Sequence, residues 1–315
     1  MYMSYLSFPH NILEFQSQFS TEQACHTYLY QSRWPDGFVC PICRDQHEYW
    51  IQDRGLIECG NGHHISLTAG TVMHRTKQPL QLWFWAAYLM TTQTPGISAL
   101  QLQRQLGIKR YETAFNMLHK LRVATVKPQR DKLVGMVEVD ESYIGGPTIG
   151  QKRGRGTNKA IIVAAVERRD GYAGRVRIRK VPNTSIQSLI GFIQEVVEPG
   201  SMVLTDGLHT YRSLPAYGYQ HRAIVQGVPE QSIVALPLVH RVFSNVKAWV
   251  QGTFHGVSKK HLQAYLNEFV FRFNRRKTPM AAFQTILGIG SQKRGPTYEG
   301  LYTGTWRHPN PRKKV

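Results

Sequence analysis

Hydrophobic residues in the first half of the chain recur at helical spacing. Between Leu80 and Val126 they form three blocks, PLQLWFWAAYLMTT, SALQLQRQLG and YETAFNMLHKLRVATV, with breaks at Pro95-Gly96 and at Gly107. Two short helices that are joined by a glycine-containing turn and preceded by another helix are typical of a helix-turn-helix unit. The pattern therefore predicts a helix-turn-helix DNA-binding domain over residues 78–127.

From about residue 134 the apolar runs become short and strand-like. Three predicted strands, in LVGMVEVDESYI, KAIIVAAVER and GRVRIRKV, precede a helix in SIQSLIGFIQEVV and another strand in SMVLTD. Residues 239–250 and 259–275 have helical patterns. Three strands followed by a helix and a strand fit an α/β domain with a mixed sheet, which we place at residues 134–280.

The remaining segments have other compositions. Residues 1–37 are aromatic and polar and predict an N-terminal helical segment. Residues 38–72 contain short strand-like pieces broken by Cys, Gly and Pro, as in a small metal-stabilised module. Residues 281–315 are predicted to form a basic tail. From about Gly288 this segment is rich in Gly, Pro, Lys and Arg and ends in PRKKV, so we expect it to be extended.

Three of the four cysteines crowd into one module, at Cys40, Cys43 and Cys59. Three thiolates and one imidazole form a tetrahedral zinc donor set, and His63 is our first choice for the imidazole. His64 and Cys25 are alternative fourth ligands. We expect a structural Zn²⁺; the other interpretation is a ribbon without metal, whose cysteines are core residues.

Two aspartates each close an apolar run that is typical of a buried strand, Asp140 in MVEVDESYIGG and Asp206 in MVLTDGLHTYR. A carboxylate at the end of a core strand is costly unless it is solvated, paired or bound to metal. The chain has 39 Lys and Arg against 20 Asp and Glu, a net charge of +19, which favours a polyanionic partner. Together these features predict metal-dependent phosphoryl transfer on nucleic acid, although the charge by itself is also explained by solubility.

Several segments resemble the DDE transposases of bacterial insertion sequences, in the subgroup with an N-terminal zinc ribbon and a helix-turn-helix. They are SLTAGTVMHRT, VEVDESYIGG, QKRGRGTNK, LTDGLHTY and HRVFSNVKAWVQGTFHGVSKKHLQAYLNEFVFRFNRR, and the resemblance covers roughly residues 38 to 277. The resemblance implies an α/β fold, an RNase H-like mixed sheet with flanking helices, preceded by the ribbon and the helix-turn-helix. It also implies Mg²⁺- or Mn²⁺-dependent cutting and joining of DNA, with Asp140 and Asp206 as metal ligands.

The resemblance also implies a third ligand 34 or 35 positions after Asp206, followed seven residues later by a Lys or Arg. His240 and Lys247 occupy that register, whereas the family usually has Glu at the first position, and Asn245 lies two residues before Lys247. Either neutral donor is weaker for Mg²⁺ than a carboxylate. The third ligand therefore stays open between His240 and Asn245, with Glu268 as a further source of charge.

Two carboxylates flank Asp140 in the strand. Because side chains alternate along a strand, Glu141 is predicted to point away from Asp140, whereas Glu138 shares its face.

Two groups of side chains are candidates for DNA binding. In the second helix of the helix-turn-helix, Arg110 and Lys120 are expected to face a DNA groove, together with Glu112, Thr113, Asn116 and His119. The basic loop beside the first metal strand is expected to clamp phosphate through Lys152, Arg153, Arg155 and Lys159. An ordinary solvated loop and a purely structural helical hairpin are the simpler explanations.

The longest apolar stretch, at residues 82–90, is too short to span a bilayer, and the N-terminus has no evident signal peptide. We expect a cytoplasmic bacterial protein associated with the nucleoid, as a homodimer or higher oligomer. Its expected partners are double-stranded terminal inverted repeats and target DNA. Alternatives are a catalytically impaired, transposase-derived DNA-binding regulator, or a nuclease or resolvase of the same fold.

Overall fold

The helices and strands divide between two compact units in the computed structural model, which describes residues 9–51, 55–127, 130–145, 159–224, 236–303 and 305–306. The first unit is built from the described residues of Met1–Thr125 and Lys277–Arg307, and the second from those of Val126–Arg276.

The helices, in chain order, are α1 (Ile12–Gln18), α2 (Glu22–Arg33), α3 (Leu80–Thr92), α4 (Ala99–Gln105), α5 (Tyr111–Ala124), α6 (Ile186–Val196), α7 (Pro237–Phe254), α8 (Leu262–Asn274), α9 (Pro279–Ser291) and α10 (Tyr298–Thr303). The strands are β1 (Glu48–Ile51), β2 (Leu56–Cys59), β3 (His64–Ser66), β4 (Met136–Ile144), β5 (Ala160–Arg169), β6 (Tyr172–Val181), β7 (Met202–Thr205) and β8 (Gln220–Ala223). A 3-10 helix spans His209–Tyr217. Among the described helices, none is long and apolar enough to cross a membrane.

The second unit is organised around a five-stranded mixed sheet with the order β6-β5-β4-β7-β8. β5 is antiparallel to both β4 and β6, whereas β4, β7 and β8 run parallel to one another. This is the RNase H-like topology that the resemblance implied, and it confirms the predicted fold class. The short polar strand β8 and the 3-10 helix before it were not predicted, because neither has a clear apolar period.

Alternation along β4 assigns its side chains to the two faces of the sheet. Val137 and Val139 are fully buried in the core that contains α6 residues such as Phe192. Ile144 belongs to the opposite core, which contains α7 residues such as Val242. Since successive strand residues point to opposite faces, the even-numbered positions of β4 face α7.

The N-terminal ribbon is a three-stranded antiparallel sheet with the order β1-β2-β3. Its small core contains Phe38, Ile57 and Ile65 together with the buried Cys40 and Cys59. So few apolar residues make a marginal core, which is why such modules depend on a metal ion.

Helices α4 and α5 form the predicted helix-turn-helix, and α5 begins at Tyr111. Gly107 adopts a positive φ of 62° in the turn, a conformation that favours glycine. α5 also packs against α9 and α3, so part of its surface is covered.

The predicted extended tail at 281–315 is wrong for its described part, because α9 and α10 form there. Phe283 is fully buried, and α9 packs against α3 within the first unit. The buried apolar face of α9 was not predicted, because the segment is also rich in Gly and Lys. Gly290 allows a close approach, since a Cβ at this position would lie only 3.0 Å from a methyl group of Val72. Residues 307–315, with the PRKKV terminus, lie outside the described part of the chain.

Candidate active site and candidate metal centre

Asp140 and Asp206 meet at the carboxyl ends of two neighbouring parallel strands. The ladder between β4 and β7 pairs Val137 with Val203 and Glu138 with Leu204. Two residues further along each strand, the same register sets Asp140 beside Asp206. Carboxylate oxygens of Asp140, Glu141 and Asp206 all lie within 4.8 Å of one another, a spacing suited to oxygen ligands of divalent cations.

Glu141 belongs to this cluster although it leaves β4 on the opposite face from Asp140. Its Oε2 accepts a hydrogen bond of 2.9 Å from the Tyr211 hydroxyl, and Tyr211 lies in the α6-side core. The predicted orientation is therefore correct, and the Glu141 carboxylate nevertheless reaches Asp140 and Asp206. The β4–β7 ladder ends at Glu138 and Leu204, so beyond it a long side chain from either face can reach the strand ends.

Helix α7 brings His240 to the cluster. His240 Nε2 lies 3.1 Å from Asp140 Oδ2, and further along the helix Lys247 Nζ donates a 2.8 Å hydrogen bond to Ser142 Oγ. Asn245 is exposed, and at 3.6 residues per turn it lies about 140° around the helix from His240. The geometry thus brings His240 and Lys247 to the strand of Asp140, and turns Asn245 to another face.

A buried carboxylate fixes the start of α7. Glu138 is 0% exposed, and its Oε2 accepts hydrogen bonds of 2.8 and 3.0 Å from the backbone N–H groups of Leu238 and Val239. These N–H groups in the first helical turn have no acceptor within the helix, and the positive end of the helix dipole favours an anion there. Glu138, on the face of Asp140 as predicted, therefore holds the turn that carries His240.

Glu268 lies fully buried in α8 and interacts electrostatically with Arg272. The carboxylate cluster found among the described residues is formed by Asp140, Glu141 and Asp206, and Glu268 is not part of it.

The cluster concentrates negative charge in a partly buried place. Burial raises the pKa of Asp140 to about 6, and the repulsion from Asp206 acts in the same direction. The Glu141 N–H, which donates a 2.8 Å hydrogen bond to Asp140 Oδ1, and His240 act against this rise. Carboxylates held together in this way gain stability from a bound cation, which removes their mutual repulsion.

The second cluster joins Cys40, Cys43, Cys59 and His63, whose ligand atoms lie within 4.8 Å of one another. Cys43 Sγ lies 3.6 Å from Cys59 Sγ, and Cys59 Sγ lies 3.3 Å from His63 Nδ1. A tetrahedral zinc ion with Zn–S bonds of about 2.3 Å holds two sulfurs roughly 3.8 Å apart. The donor set and its spacing therefore fit structural zinc.

Neighbouring groups prepare the cluster for metal. The Asn61 side chain donates a hydrogen bond to Cys43 Sγ, and this bond is the main cause that lowers the pKa of Cys43 to about 6. His64 instead lies 3.7 Å from Glu58, on the exposed side of the sheet. Cys25, buried in α2, does not belong to the cluster that the described residues form.

The candidate DNA-binding residues have different environments. Arg110 is exposed at the start of α5, as expected. Lys120 is only half-exposed and donates a 2.9 Å hydrogen bond to the His74 carbonyl, and His119 is 1% exposed. The expectation that His119 faces a groove is wrong, because its ring packs 4.3 Å from the ring of Phe115, which also contacts Tyr302 of α10.

Of the basic loop, Lys152, Arg153 and Arg155 lie outside the described residues. Lys159 lines a cavity together with Lys247. Burial and then the positive charge of Lys159 lower the pKa of Lys247, whereas Asp140 acts against this decrease.

Comparisons with known proteins point to one kind of relative. Residues 132–274 match the ISXO2-like transposase domain, and residues 20–64 match the transposase zinc-ribbon domain. An uncharacterized protein in transposable element ISH50 of Halobacterium salinarum is 26% identical over 294 residues, which cover 85% of this chain and 97% of that protein. An uncharacterized transposase-like protein of Haemophilus influenzae is 30% identical over 95 residues, which cover 30% of this chain and 76% of that protein.

A chain in the crystal structure of the Mos1 strand transfer complex aligns with 66% of this chain and 78% of its own length, at 13% identity. The TM-score of 0.21 is too low to indicate a shared arrangement.

Proposed function

This chain belongs to the ISXO2-like transposase family, and we propose that it is a DDE-type transposase that binds the terminal inverted repeats of an insertion sequence. It catalyses metal-dependent DNA cleavage and strand transfer. The observation that carries the proposal is the convergence of the Asp140, Glu141 and Asp206 carboxylates beside His240 and Lys247. The net charge of +19 favours a phosphate-rich substrate such as DNA. The carboxylate cluster is suited to binding the divalent cations that phosphoryl transfer on such a substrate requires.

The donor set fits magnesium or manganese, because both prefer carboxylate oxygens. We assign Asp140 and Asp206 as ligands, with His240 as the third ligand in preference to Asn245. The family usually has a third carboxylate at the position of His240, and Glu141 supplies that third negative charge here. Asp140, Asp206 and His240 would hold the ions, whose chemistry would be activation of the attacking hydroxyl group and stabilisation of the leaving oxygen of the phosphodiester.

Side chains around the cluster position its parts. Glu138 holds the first turn of α7, and so orients His240 toward Asp140. The Tyr211 hydroxyl orients Glu141. The ammonium group of Lys247 lies beside Ser142, two residues beyond Asp140 on the same face of β4. At this position its positive charge binds the phosphate that reacts.

The zinc ribbon holds Zn²⁺ through Cys40, Cys43, Cys59 and His63. We propose that the ribbon and the helix-turn-helix bind double-stranded DNA, with Arg110 at the start of α5 as a contact. A contact from Lys120 stays a prediction. Because two element ends must be joined, we propose that the active form is a homodimer or higher oligomer, and that it works on the nucleoid.

The test is nicking of a duplex that carries the element's terminal repeat, by the full chain in Mg²⁺ or Mn²⁺. We expect Asp140→Asn and Asp206→Asn to lower the initial rate by more than about 100-fold, since even residues that only support metal ligands cost 10–100-fold. Asp170→Asn is the matched control, because Asp170 lies exposed in the β5–β6 turn. An equal decrease in all three variants, or no decrease in the first two, contradicts the proposal.

Two products separate the candidates. Joined strand-transfer products support the transposase, whereas nicking without joining indicates a nuclease of the same fold. The presence of His240 where the family usually has Glu favours a DNA-binding regulator as the second candidate. Specific binding of the repeat without any nicking in either metal is the result that this regulator predicts.

A further inference from the structure

Two cavities adjoin beyond the carboxyl end of β4 in the second unit. Their volumes are about 610 and 460 Å³. Four residues line both cavities, Tyr143, Lys159, Ala160 and Lys259, and we refer to the two adjoining cavities together as a groove. Lys247 lines the larger cavity, which connects the groove to the carboxylate cluster, and Lys180 lines the smaller one. We call this feature the lysine groove.

Among the described residues, the charged side chains that line the lysine groove are all positive. Four lysines line it, and its described lining residues include neither Asp nor Glu; the four are Lys159, Lys180, Lys247 and Lys259. Lys247 donates to Ser142 Oγ, and Lys180 donates a 3.0 Å hydrogen bond to the Lys259 carbonyl. A lysine ammonium has three donors, so each of these two retains donors for a ligand. The repulsion between Lys159 and Lys247 falls when an anion lies between them.

The lining also includes apolar and aromatic side chains. Val250, Val257 and Leu262 line the larger cavity, and Tyr143 lies at the junction of the two. Cavities of roughly 300–1,000 Å³ accommodate ligands of the size of a nucleotide. A duplex is far wider than such a cavity, and its bases are hidden in the stack. An unpaired strand presents both phosphates to lysines and bases to aromatic rings.

We propose that the lysine groove binds an unpaired segment of the DNA strand that leads away from the carboxylate cluster. Its phosphates follow Lys247, Lys159, Lys259 and Lys180 in turn, and a base stacks on Tyr143. This inference rests on the proposed function in one respect, which is that the strand reaching the groove is the one whose phosphodiester reacts at Asp140 and Asp206.

The test compares two fluorescent DNA probes by anisotropy, with the full chain and without Mg²⁺. One probe is a blunt duplex of the terminal repeat, and the other carries a short unpaired extension on one strand. We expect the double variant Lys180→Gln, Lys259→Gln to weaken binding of the extended probe about tenfold. The slope of log K against log salt should fall by about 0.7 for each phosphate that the variant no longer neutralises. Binding of the blunt duplex should change less than about twofold, which also reports that the variant is folded.

Tyr143→Leu separates stacking from charge. This variant should bind the extended probe at least about fivefold more weakly. The slope of log K against log salt should stay unchanged, because base stacking releases no counterions. Lys132→Gln is the matched control, since Lys132 precedes β4 at the opposite end of that strand. It should change neither probe.

The proposal is overturned if the double variant binds the extended probe like the wild type, or if its binding of both probes weakens equally. Failure of the proposed function looks different. The wild type then does not nick the repeat in Mg²⁺, while the weaker binding of the extended probe by the lysine variant remains. In the converse result, the wild type nicks the repeat in an Asp206-dependent way while the lysine variant binds the extended probe as the wild type does. That result overturns the groove assignment and leaves the proposed function standing.

Discussion

His240 Nε2 lies 3.1 Å from Asp140 Oδ2, although the two residues are 100 positions apart in the chain. The contact exists because Asp140 is on the α7-facing side of β4 and His240 is in the first turns of α7. Lys247 contacts Ser142 on the same side. The α7 face that carries His240 and Lys247 therefore lies along the β4 face that carries Asp140 and Ser142. Together with Asp206 after β7, these two faces supply the candidate catalytic residues.

The first prediction concerns the third ligand. His240→Ala should lower the initial rate of Mg²⁺-dependent nicking about tenfold or more, if the imidazole beside Asp140 is the third ligand that we propose. Asn245→Ala, on another face of α7, should change the rate less than about twofold. His240→Glu should retain or increase activity in Mg²⁺, because a carboxylate is the harder ligand. A larger decrease in the Asn245 variant would reverse the assignment.

The second prediction concerns Glu138 as a positioning residue. Glu138→Ala leaves the N–H groups of Leu238 and Val239 buried without their acceptor, which should lower the free energy of unfolding by about 1–3 kcal/mol. Glu138→Gln keeps one acceptor oxygen and should be destabilised less. Urea unfolding measures the stability.

Metal dependence of nicking tests the same residue in another way. If Glu138 orients His240, the Glu138→Gln variant should need a higher Mg²⁺ concentration for half-maximal rate while remaining folded. An unchanged metal dependence would mean that Glu138 serves stability only.

The third prediction is a pH dependence of stability that comes from Glu167. This side chain is 1% exposed. Burial acts to raise its pKa, but hydrogen bonds from Arg175 and Arg169 outweigh burial and lower the pKa to about 2 from the ordinary 4.5. A lowered folded-state pKa means that the stabilisation is complete above about pH 4.5 and is lost as the pH falls toward about 2.

Glu167→Gln should therefore lower the free energy of unfolding near neutral pH by up to about 3 kcal/mol. The difference from the wild type should shrink in acid. Urea unfolding at neutral pH and at about pH 3 measures it. Glu198→Gln, at an exposed position of the same unit, is the control and should show no such pH-dependent difference. A constant difference at both pH values would contradict the assignment.

The fourth prediction concerns the zinc ribbon. Cys43→Ser, or treatment with a chelator, should release zinc and unfold the ribbon, because the small core around Ile57 depends on the metal. Cys25→Ala should keep the full zinc content, since Cys25 lies in α2 apart from the cluster. Zinc analysis of the purified protein and thermal unfolding with and without added Zn²⁺ measure both effects. Full zinc content in the Cys43 variant would exclude that residue as a ligand.

Much of the architecture was predictable because local chemistry determines it. The periods of apolar residues located α3, α4, α5 and the strands β4 to β7, and the cysteine spacing located the ribbon. Asp140 and Asp206 were identifiable because a carboxylate that closes an apolar strand is costly without a partner. The C-terminal helix α9 was missed, since its glycines and the neighbouring lysines concealed a stripe formed by Ala282, Phe283 and Ile286.

The sequence by itself determined which residue types are available and on which face of its helix or strand each residue lies. Only the tertiary structure decided which of them meet. The β4–β7 register sets Asp140 beside Asp206, and the rotation of α7 places His240, rather than Asn245, next to Asp140. The end of the ladder lets Glu141 join from the other face. These outcomes depend on distances between distant parts of the chain, which are set by packing and register and leave no trace in local periodicity.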